Sequence, residues 1–188
     1  MLEALRAHVA TIPDGMDREE LMGEALEDMA RNLTGEGFDS VASWVASSKL
    51  SEEETARFAG GLSYFNTKED TGHWIDWMAG NLPADQVAEN VDNLIGQWTQ
   101  QDYLAAGRWL AASPEGPAKS AAVSTYAQTV AEYEPQTAVQ WAMTLPEGQE
   151  RRDTLEAIYH NWPEGDRAAA DAFAREHGID TADATEEP

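Results

Sequence analysis

Cysteine is absent from the 188-residue sequence, which excludes disulfide bonds and thiolate chemistry. Basic residues are scarce: 12 Lys and Arg stand against 35 Asp and Glu, so the formal net charge at pH 7 is −23. A charge of this sign repels phosphate backbones and anionic lipid, which disfavours nucleic acids and membranes as partners. Long apolar runs are also missing, and residues 1–12 are amphipathic rather than signal-like.

Motifs that carry chemistry are missing as well. The sequence has no His-Glu-x-x-His pair, no Gly-rich phosphate loop and no calcium loop, so it predicts neither a metal nor a cofactor. His73 and Asp76 are three residues apart on a predicted helix and can share a face. Such a pair can act in metal or acid–base chemistry, but a solvent-facing hydrogen bond is favoured because no nucleophile or further ligand accompanies it.

Repetition is what the sequence does contain. An aromatic or His anchor recurs at intervals of 36, 33, 32, 32 and 32 residues: His8, Trp44, Trp77, Trp109, Trp141 and Phe173. A fixed period near 32 residues is typical of stacked helical hairpins. His8 and His177 occupy core-facing positions in the terminal units and are expected to be partly buried, whereas His160 is placed near a helix end.

Each interval contains two amphipathic helices. One carries the anchor and is called the A helix; the other is called the B helix. The B helices show apolar residues at i, i+3, i+4 and i+7, in five sets: Met22, Ala25, Leu26, Met29; Phe58, Gly61, Leu62, Phe65; Val91, Leu94, Ile95, Trp98; Val123, Tyr126, Ala127, Val130; Leu155, Ile158, Tyr159, Trp162. Six A helices and five B helices are therefore expected.

A hairpin of this length cannot bury its apolar face alone, and stacking its neighbours makes the core continuous. The sequence therefore predicts an all-α fold, an α-solenoid of about five to six helix-hairpin repeats of 32–36 residues. One repeat domain is expected over residues 1–178, followed by an acidic, flexible tail over residues 179–188.

The A-to-B turns have their own pattern. Four of them carry proline, which disfavours helix in the preceding residue and so ends the A helix: Ile12-Pro13-Asp14-Gly15, Leu82-Pro83-Ala84-Asp85, Ser113-Pro114-Glu115-Gly116 and Leu145-Pro146-Glu147-Gly148. The second unit has Lys49-Leu50-Ser51 instead, and Ser51 is predicted to cap the next helix. The segment Thr34-Gly35-Glu36-Gly37 accounts for the long first interval and predicts a longer loop.

The segment Pro135-Gln136-Thr137-Ala138-Val139-Gln140-Trp141 resembles the opening of a tetratricopeptide unit, although Pro146 ends the helix earlier than in that family. The chain is more similar to bacterial αα-repeat proteins with the theme Trp-Ala-x-x-Leu-Pro-x-Gly-x-x-Arg, here Trp141, Ala142, Leu145, Pro146, Gly148 and Arg151. The likeness covers nearly all of residues 1–178 and is best in the last three units. It implies an α-solenoid and a protein-binding role, with no catalytic residues to carry over.

Six of the seven tryptophans fall on the repeat ladders and are expected in the stacking core. Trp74 is the exception, because its position is taken in the sister units by Val41, Ala106, Ala138 and Ala170. It either fills a local gap beside Gly72 and Gly80 or projects as a binding anchor. Packing is favoured, since large aromatic side chains are usually buried.

A binding groove is expected on the A-helix side. The residues just before the anchors, Ser43, Asp76, Arg108 and Gln140, and those one turn earlier, Ser40, His73, Ala105 and Thr137, form a polar, short-chained strip. Such a strip suits a peptide or a partner helix better than a metabolite, which prefers a deep apolar pocket. The predicted partner-binding residues are His73, Trp74, Asp76, Arg108 and Gln140.

Three classes of function stay open. The first is a non-catalytic interaction scaffold that binds a protein or peptide along the A-helix face, with a basic partner matching the charge. The second is an acidic decoy or inhibitor of a basic or DNA-binding protein, although mimicry needs regular rows of carboxylates and these are spread over helix starts and loops. The third is an enzyme with a carboxylate and His site in the helical groove, for which a deep pocket at His73 and Asp76 would be the indication.

The chain opens directly on an anchor helix, with no polar capping segment before it. The expected compartment therefore depends on the start: cytoplasmic if Met1 is the native start, and cell envelope or secreted if the chain is part of a longer protein.

Overall fold

The computed structural model describes residues 2–12 and 18–181. These residues are predominantly helical and include no strand, so the predicted all-α class is confirmed. The α-helices in the described ranges are α1 (Leu2–Ala10), α2 (Arg18–Leu33), α3 (Phe38–Ser47), α4 (Glu52–Gly60), α5 (Tyr64–Thr67), α6 (Thr71–Asn81), α7 (Ala84–Ala112), α8 (Pro117–Val130), α9 (Pro135–Ala142), α10 (Gln149–His160) and α11 (Arg167–His177). Short 3-10 turns occur at Thr34–Glu36, Lys68–Asp70 and Glu164–Asp166.

The order of these helices follows the predicted alternation. The anchors lie in α1, α3, α6, α9 and α11, and Trp109 lies in the last third of α7. Helix α7 is two helices joined at Asp102, whose φ of −152° and ψ of 78° are not helical. Residues 84–101 therefore correspond to a B helix and residues 103–112 to an A helix. The short α5 is an addition that the periodicity does not predict.

The chain forms two compact units, Met1–Leu94 and Ile95–Pro188. Their boundary falls within α7. The single domain over residues 1–178 stays a prediction. The turn at Pro13 and most of the acidic tail, residues 182–188, lie outside the described residues.

A basic side chain closes the A-to-B turn in three hairpins. The carbonyl oxygen of Leu145 accepts a hydrogen bond from Arg151 Nε at 2.8 Å, and the carbonyl of Ser113 accepts one from Lys119 Nζ at 3.1 Å. Arg18 Nε donates to the carbonyl of Ile12 in the same way at 2.9 Å. In each case the donor follows the acceptor by six residues.

The second A-to-B turn uses a capping box instead. Ser51 Oγ accepts from Glu54 N at 3.1 Å, and Glu54 Oε2 accepts from Ser51 N at 2.9 Å. The prediction that Ser51 caps this helix is confirmed. The prediction that proline ends the A helices is confirmed at three turns, because α6 ends before Pro83, α7 before Pro114 and α9 before Pro146.

The B-to-A junctions place an acidic residue at the start of four A helices. Asp70, Asp102, Glu134 and Asp166 precede the first helical residue, and they lie seven residues before their anchors. Asp102 Oδ1 accepts from Ala105 N at 2.9 Å, which caps the helix that follows the break in α7. A carboxylate at this end of a helix is favourable because the helix dipole is positive there.

Aromatic rings join each of the last four B helices to the next A helix. The ring centroids of Phe58 and Trp77 are 6.2 Å apart, and those of Trp98 and Trp109 are 6.0 Å apart. The corresponding distances are 5.8 Å for Tyr126 and Trp141 and 5.2 Å for Trp162 and Phe173. Trp98 and Trp162 are buried as predicted, whereas the anchors Trp44, Trp77, Trp109 and Trp141 are only half-buried.

Two predictions about single residues and one about a segment are wrong. Phe65 is 66% exposed, because α4 ends at Gly60 and Phe65 lies on the separate short helix α5. His8 is exposed rather than partly buried, whereas His177 is half-buried against Phe173, with ring centroids 4.7 Å apart. The segment Thr34–Gly37 is not an open loop: it forms a 3-10 turn that ends at Gly37, whose φ of 87° favours glycine.

Gly61 lies where α2 approaches most closely. A Cβ on Gly61 would lie 2.7 Å from Glu27 Cα and would also clash with the Glu27 carbonyl oxygen. The obstacle is helix backbone, which cannot move aside like a flexible side chain. Neighbouring Gly60 has open space around the corresponding position.

We therefore expect Gly61→Ala to lower the free energy of unfolding by roughly 1–3 kcal/mol, since the added methyl group overpacks the α2 contact. Gly60→Ala is the matched control and should be neutral or stabilising, because alanine has the higher helix propensity. Urea denaturation of the two variants measures both effects. Equal stability of the two variants would contradict the close approach.

Candidate functional site

The predicted site residues of the first unit, His73, Trp74 and Asp76, lie on α6, and His73 lines a shallow cleft of about 370 Å³. Phe38, Asp70 and His73 line this cleft together with residues of the 3-10 turn before α3. Asp70 links the two helix starts: its Oδ2 accepts from Phe38 N at 3.1 Å, and its Oδ1 lies 3.4 Å from His73 Nδ1. The His73 ring also packs against Phe38, with centroids 5.3 Å apart.

His73 and Asp76 are both exposed, as their predicted place on the outer A-helix face requires. The carboxylate that contacts the His73 ring nitrogen is Asp70, which sequence reasoning did not single out. The sequence contained a signal for Asp70. An acidic residue precedes the first helical residue of α6, and the same position is acidic in the later A helices, at Asp102, Glu134 and Asp166. This arrangement can hold a polar or cationic group of a ligand at the surface.

Trp74 points into the core instead. It is fully buried and lies among the rings of Phe38, Phe58 and Trp77, with centroid distances of 4.9, 6.1 and 5.5 Å. The favoured packing interpretation is confirmed, since the Trp74 ring is buried and does not project from the surface. The neighbours of Trp74 are aromatic rings, while Gly80 faces open space.

The predicted site residues of the second unit are Arg108 and Gln140. Both are exposed, and each directly precedes a half-buried anchor, Trp109 or Trp141. Ser43 in the first unit has the same relation to Trp44. The exposure predicted for the positions before the anchors is therefore found in both units, each taken by itself.

Two further clefts are lined in part by residues of B helices. In the first unit, a cleft of about 310 Å³ between α2 and α4 has Met22, Gly23 and Leu26 among its lining and the charged side chains of Arg18 and Arg57 beside them. In the second unit, a cleft of about 190 Å³ lies beside Trp141 and Leu145. Sequence reasoning placed binding on the A-helix side and missed both.

Glu54 lines the larger of these two clefts and is part of an ion pair. Burial alone would raise the pKa of the Glu54 carboxyl group. The hydrogen bonds from Arg6 and Ser51 and the Arg6 charge outweigh burial, so the pKa lies below its ordinary value. Arg6 Nη2 lies 2.7 Å from Glu54 Oε2, and the pKa of Arg6 is raised by this hydrogen bond.

An exposed aromatic edge in the second unit was also missed. Tyr133 is 55% exposed and Leu104 is 59% exposed. The rings of Tyr103 and Tyr133 lie nearly parallel, with an interplanar angle of 16° and centroids 6.4 Å apart. The signal was the acidic residue beside each tyrosine at the start of an A helix, in Asp102-Tyr103 and in Glu132-Tyr133-Glu134.

Burial raises the pKa of Tyr126, and the nearby Tyr103 and Glu134 raise it further. The Tyr126 hydroxyl donates to the carbonyl oxygen of Tyr103 at 3.1 Å. This bond ties the start of the A helix in α7 to helix α8. The half-buried Tyr103 is therefore held in place beside the exposed ring of Tyr133.

Among residues 2–12 and 18–181, no group of three or more His, Asp or Glu side chains could hold a metal ion. None of the helices in these ranges is both long and apolar enough to span a membrane. Comparison with models of known families, with curated proteins and with solved structures found no match to the chain.

Truncation of Trp74 should show how much of the stability of the first unit depends on its buried ring. Trp74→Ala is expected to lower the free energy of unfolding by roughly 3–5 kcal/mol, because it opens a cavity among aromatic rings. Phe65→Ala makes a comparable change at an exposed ring and should cost about 1 kcal/mol or less. Urea denaturation followed by far-UV circular dichroism measures both, and similar losses would speak against the burial of Trp74.

The ion pair of Glu54 should make stability depend on pH. Since the folded pKa of Glu54 is lowered, its contribution is present above the ordinary Glu pKa of about 4.3 and is lost as the pH falls through the folded pKa. Glu54→Gln should therefore destabilise the protein at pH 7, and its difference from wild type should shrink near pH 3. Glu53→Gln, an exposed neighbour in the same helical turn, is the control. A difference that stays constant between the two pH values would rule out this linkage.

Proposed function

We propose that this chain is an α-helical repeat protein of the solenoid type that acts as a non-catalytic interaction scaffold. Its ligand is a peptide or a helix of a partner protein, bound along the outer face of the A helices. The recurring aromatic pairs, the basic clamps of the A-to-B turns and the acidic helix starts support the repeat assignment. The resemblance to tetratricopeptide-like repeat proteins supports the binding role.

The observation that carries this proposal is that each A helix has one face packed against a B helix and another face exposed to solvent. The anchor rings turn toward the B helices, and the residue before each of the tryptophan anchors is exposed: Ser43, Asp76, Arg108 and Gln140. The side chains on this face are polar or charged and are carried by helices, which hold them more rigidly than loops do. A helix face of this kind is suited to recognising another peptide chain through several separate contacts.

A display library of random linear peptides, selected against the intact protein, tests the proposal. Affinities of the selected peptides are then measured by fluorescence polarisation for Asp76→Ala and Arg108→Ala. Each variant should weaken binding by roughly threefold to tenfold, since a hydrogen bond to a charged group contributes about 1 kcal/mol or more. Glu24→Ala, an exposed change on the B helix α2, is the control and should leave the affinity unchanged.

Failure to select any peptide would count against the scaffold function. Unchanged affinity in both variants would remove the A-helix face from consideration. Salt-sensitive binding of a folded DNA-binding domain, without any peptide binding, would favour the acidic decoy instead.

A further inference from the structure

We propose that the aromatic edge of the second unit, formed by Tyr103, Leu104 and Tyr133, docks an arginine side chain of a basic segment in the partner. This inference rests on the proposed scaffold function and names the partner chemistry that one surface selects. The edge lies at the start of two A helices, α9 and the last third of α7.

The first argument for a binding surface is the exposure of two large apolar side chains. Tyr133 and Leu104 are two of the large apolar side chains that the described structure leaves exposed, although most apolar side chains of comparable size in this unit are buried. The rings of Tyr103 and Tyr133 lie nearly parallel to each other, and the exposed Leu104 directly follows Tyr103 in the chain. A guanidinium group can stack on tyrosine while its aliphatic stem covers leucine.

Charge complementarity identifies the occupant. Asp102, Glu132 and Glu134 flank the rings along the chain, and all three are exposed. None of the three forms an ion pair with a Lys or Arg among the described residues, so their charge is not neutralised within the unit. An incoming cation meets both aromatic faces and carboxylates here, whereas an acidic ligand is repelled.

The same unit already holds one of its own arginines in this way. Arg167 Cζ lies 4.4 Å from the centroid of the Tyr159 ring, and Arg167 Nε lies 3.7 Å from Asp171 Oδ1. Arg167 also donates to the Tyr159 hydroxyl group. Tyrosine beside a carboxylate thus binds guanidinium within this fold, and at Tyr103 and Tyr133 the equivalent cation is missing from the described residues.

Arg108 limits the edge on one side. It follows Leu104 by one helical turn and is exposed, so it bounds the acidic and aromatic surface along the A helix. The proposed contact is with a single arginine side chain rather than with a folded domain.

The test uses two synthetic peptides of equal charge, Gly-Arg-Gly-Arg-Gly and Gly-Lys-Gly-Lys-Gly, each acetylated and amidated. Titration into the ¹⁵N-labelled intact protein should shift the amide signals of residues 102–104 and 132–134 most strongly. The arginine peptide should bind more tightly than the lysine peptide, because guanidinium both stacks on the ring and pairs with a carboxylate.

Single variants distinguish the contribution of the tyrosine rings to binding from that of the overall negative charge. Tyr133→Ala leaves the net charge unchanged. It should lower the affinity for the arginine peptide by roughly twofold to fivefold, because one exposed cation–π contact is lost. Tyr133→Trp keeps an aromatic face and should bind at least as well as wild type. Glu132→Gln should weaken binding more than Glu24→Gln, although both variants change the net charge by the same amount.

The proposal is overturned if Tyr133→Ala binds like wild type, if Glu132→Gln and Glu24→Gln lose affinity equally, or if the shifts map to other residues. In that case the peptide senses only the diffuse field of the acidic chain. Peptides selected from the display library would still bind, so the scaffold function would survive this failure. If the library yields no binder, the scaffold function falls, and the arginine titration still decides whether the edge is a cation site.

Discussion

The structure depends on the contact between the ring of a B helix and the anchor ring of the A helix that follows. The helices are short, as in the eight residues of α9, and helices of this length are marginal on their own in water. Each ring pair adds about 0.5–1.5 kcal/mol beyond the burial of its apolar surface. Because the anchor turns inward for this contact, the residue before it turns outward. The packing of the core thereby determines which side chains can meet a partner.

How much the sequence predicts depends on the range of the interaction. The 32-residue period locates the helices, and Ser51 with Glu54 shows a local cap that sequence rules recognise. The wrong prediction for Phe65 comes from the same apolar pattern as the correct ones. That pattern continues beyond Gly60, the last residue of α4, and no proline marks the end of this helix. Periodicity defines the face of a helix well and its end poorly.

Contacts between hairpins were beyond the reach of local patterns. Asp70 bonds the backbone of Phe38, 32 residues earlier, and Tyr103 lies against Tyr133, 30 residues later. Trp74 belongs to the same class, since one of the rings that meet it edge-on is Phe38 from the preceding A helix. A one-dimensional pattern identifies such residues as unusual without naming their partners. The exposure of Asp76, Arg108 and Gln140 could therefore be predicted from the period, whereas the positions of Asp70, Tyr103 and Tyr133 could not.

The net charge of −23 does not act as one uniform property. Asp102 and Glu54 are engaged in caps, and Glu54 also holds Arg6, so part of the negative charge stabilises helix starts. Exposed acids beside exposed rings, as at Tyr133, have another effect, because they combine attraction for cations with apolar contact. The location of a carboxylate, more than its number, separates a role in folding from a role in recognition.

The B-to-A junctions vary more in length than the A-to-B turns, which range from the two residues 82–83 to the six residues 143–148 among those described. The basic clamp spans six residues in the three A-to-B turns that carry it, whereas the B-to-A junctions range from the single residue Asp102 to the ten residues 61–70 that include α5. Insertions are therefore tolerated on the B-to-A side without disturbing the helical framework. Tyr103, Tyr133 and Phe65 lie at or next to these variable junctions. Evolution, or an engineer grafting loops, can diversify the recognition surface there while the repeating framework stays unchanged.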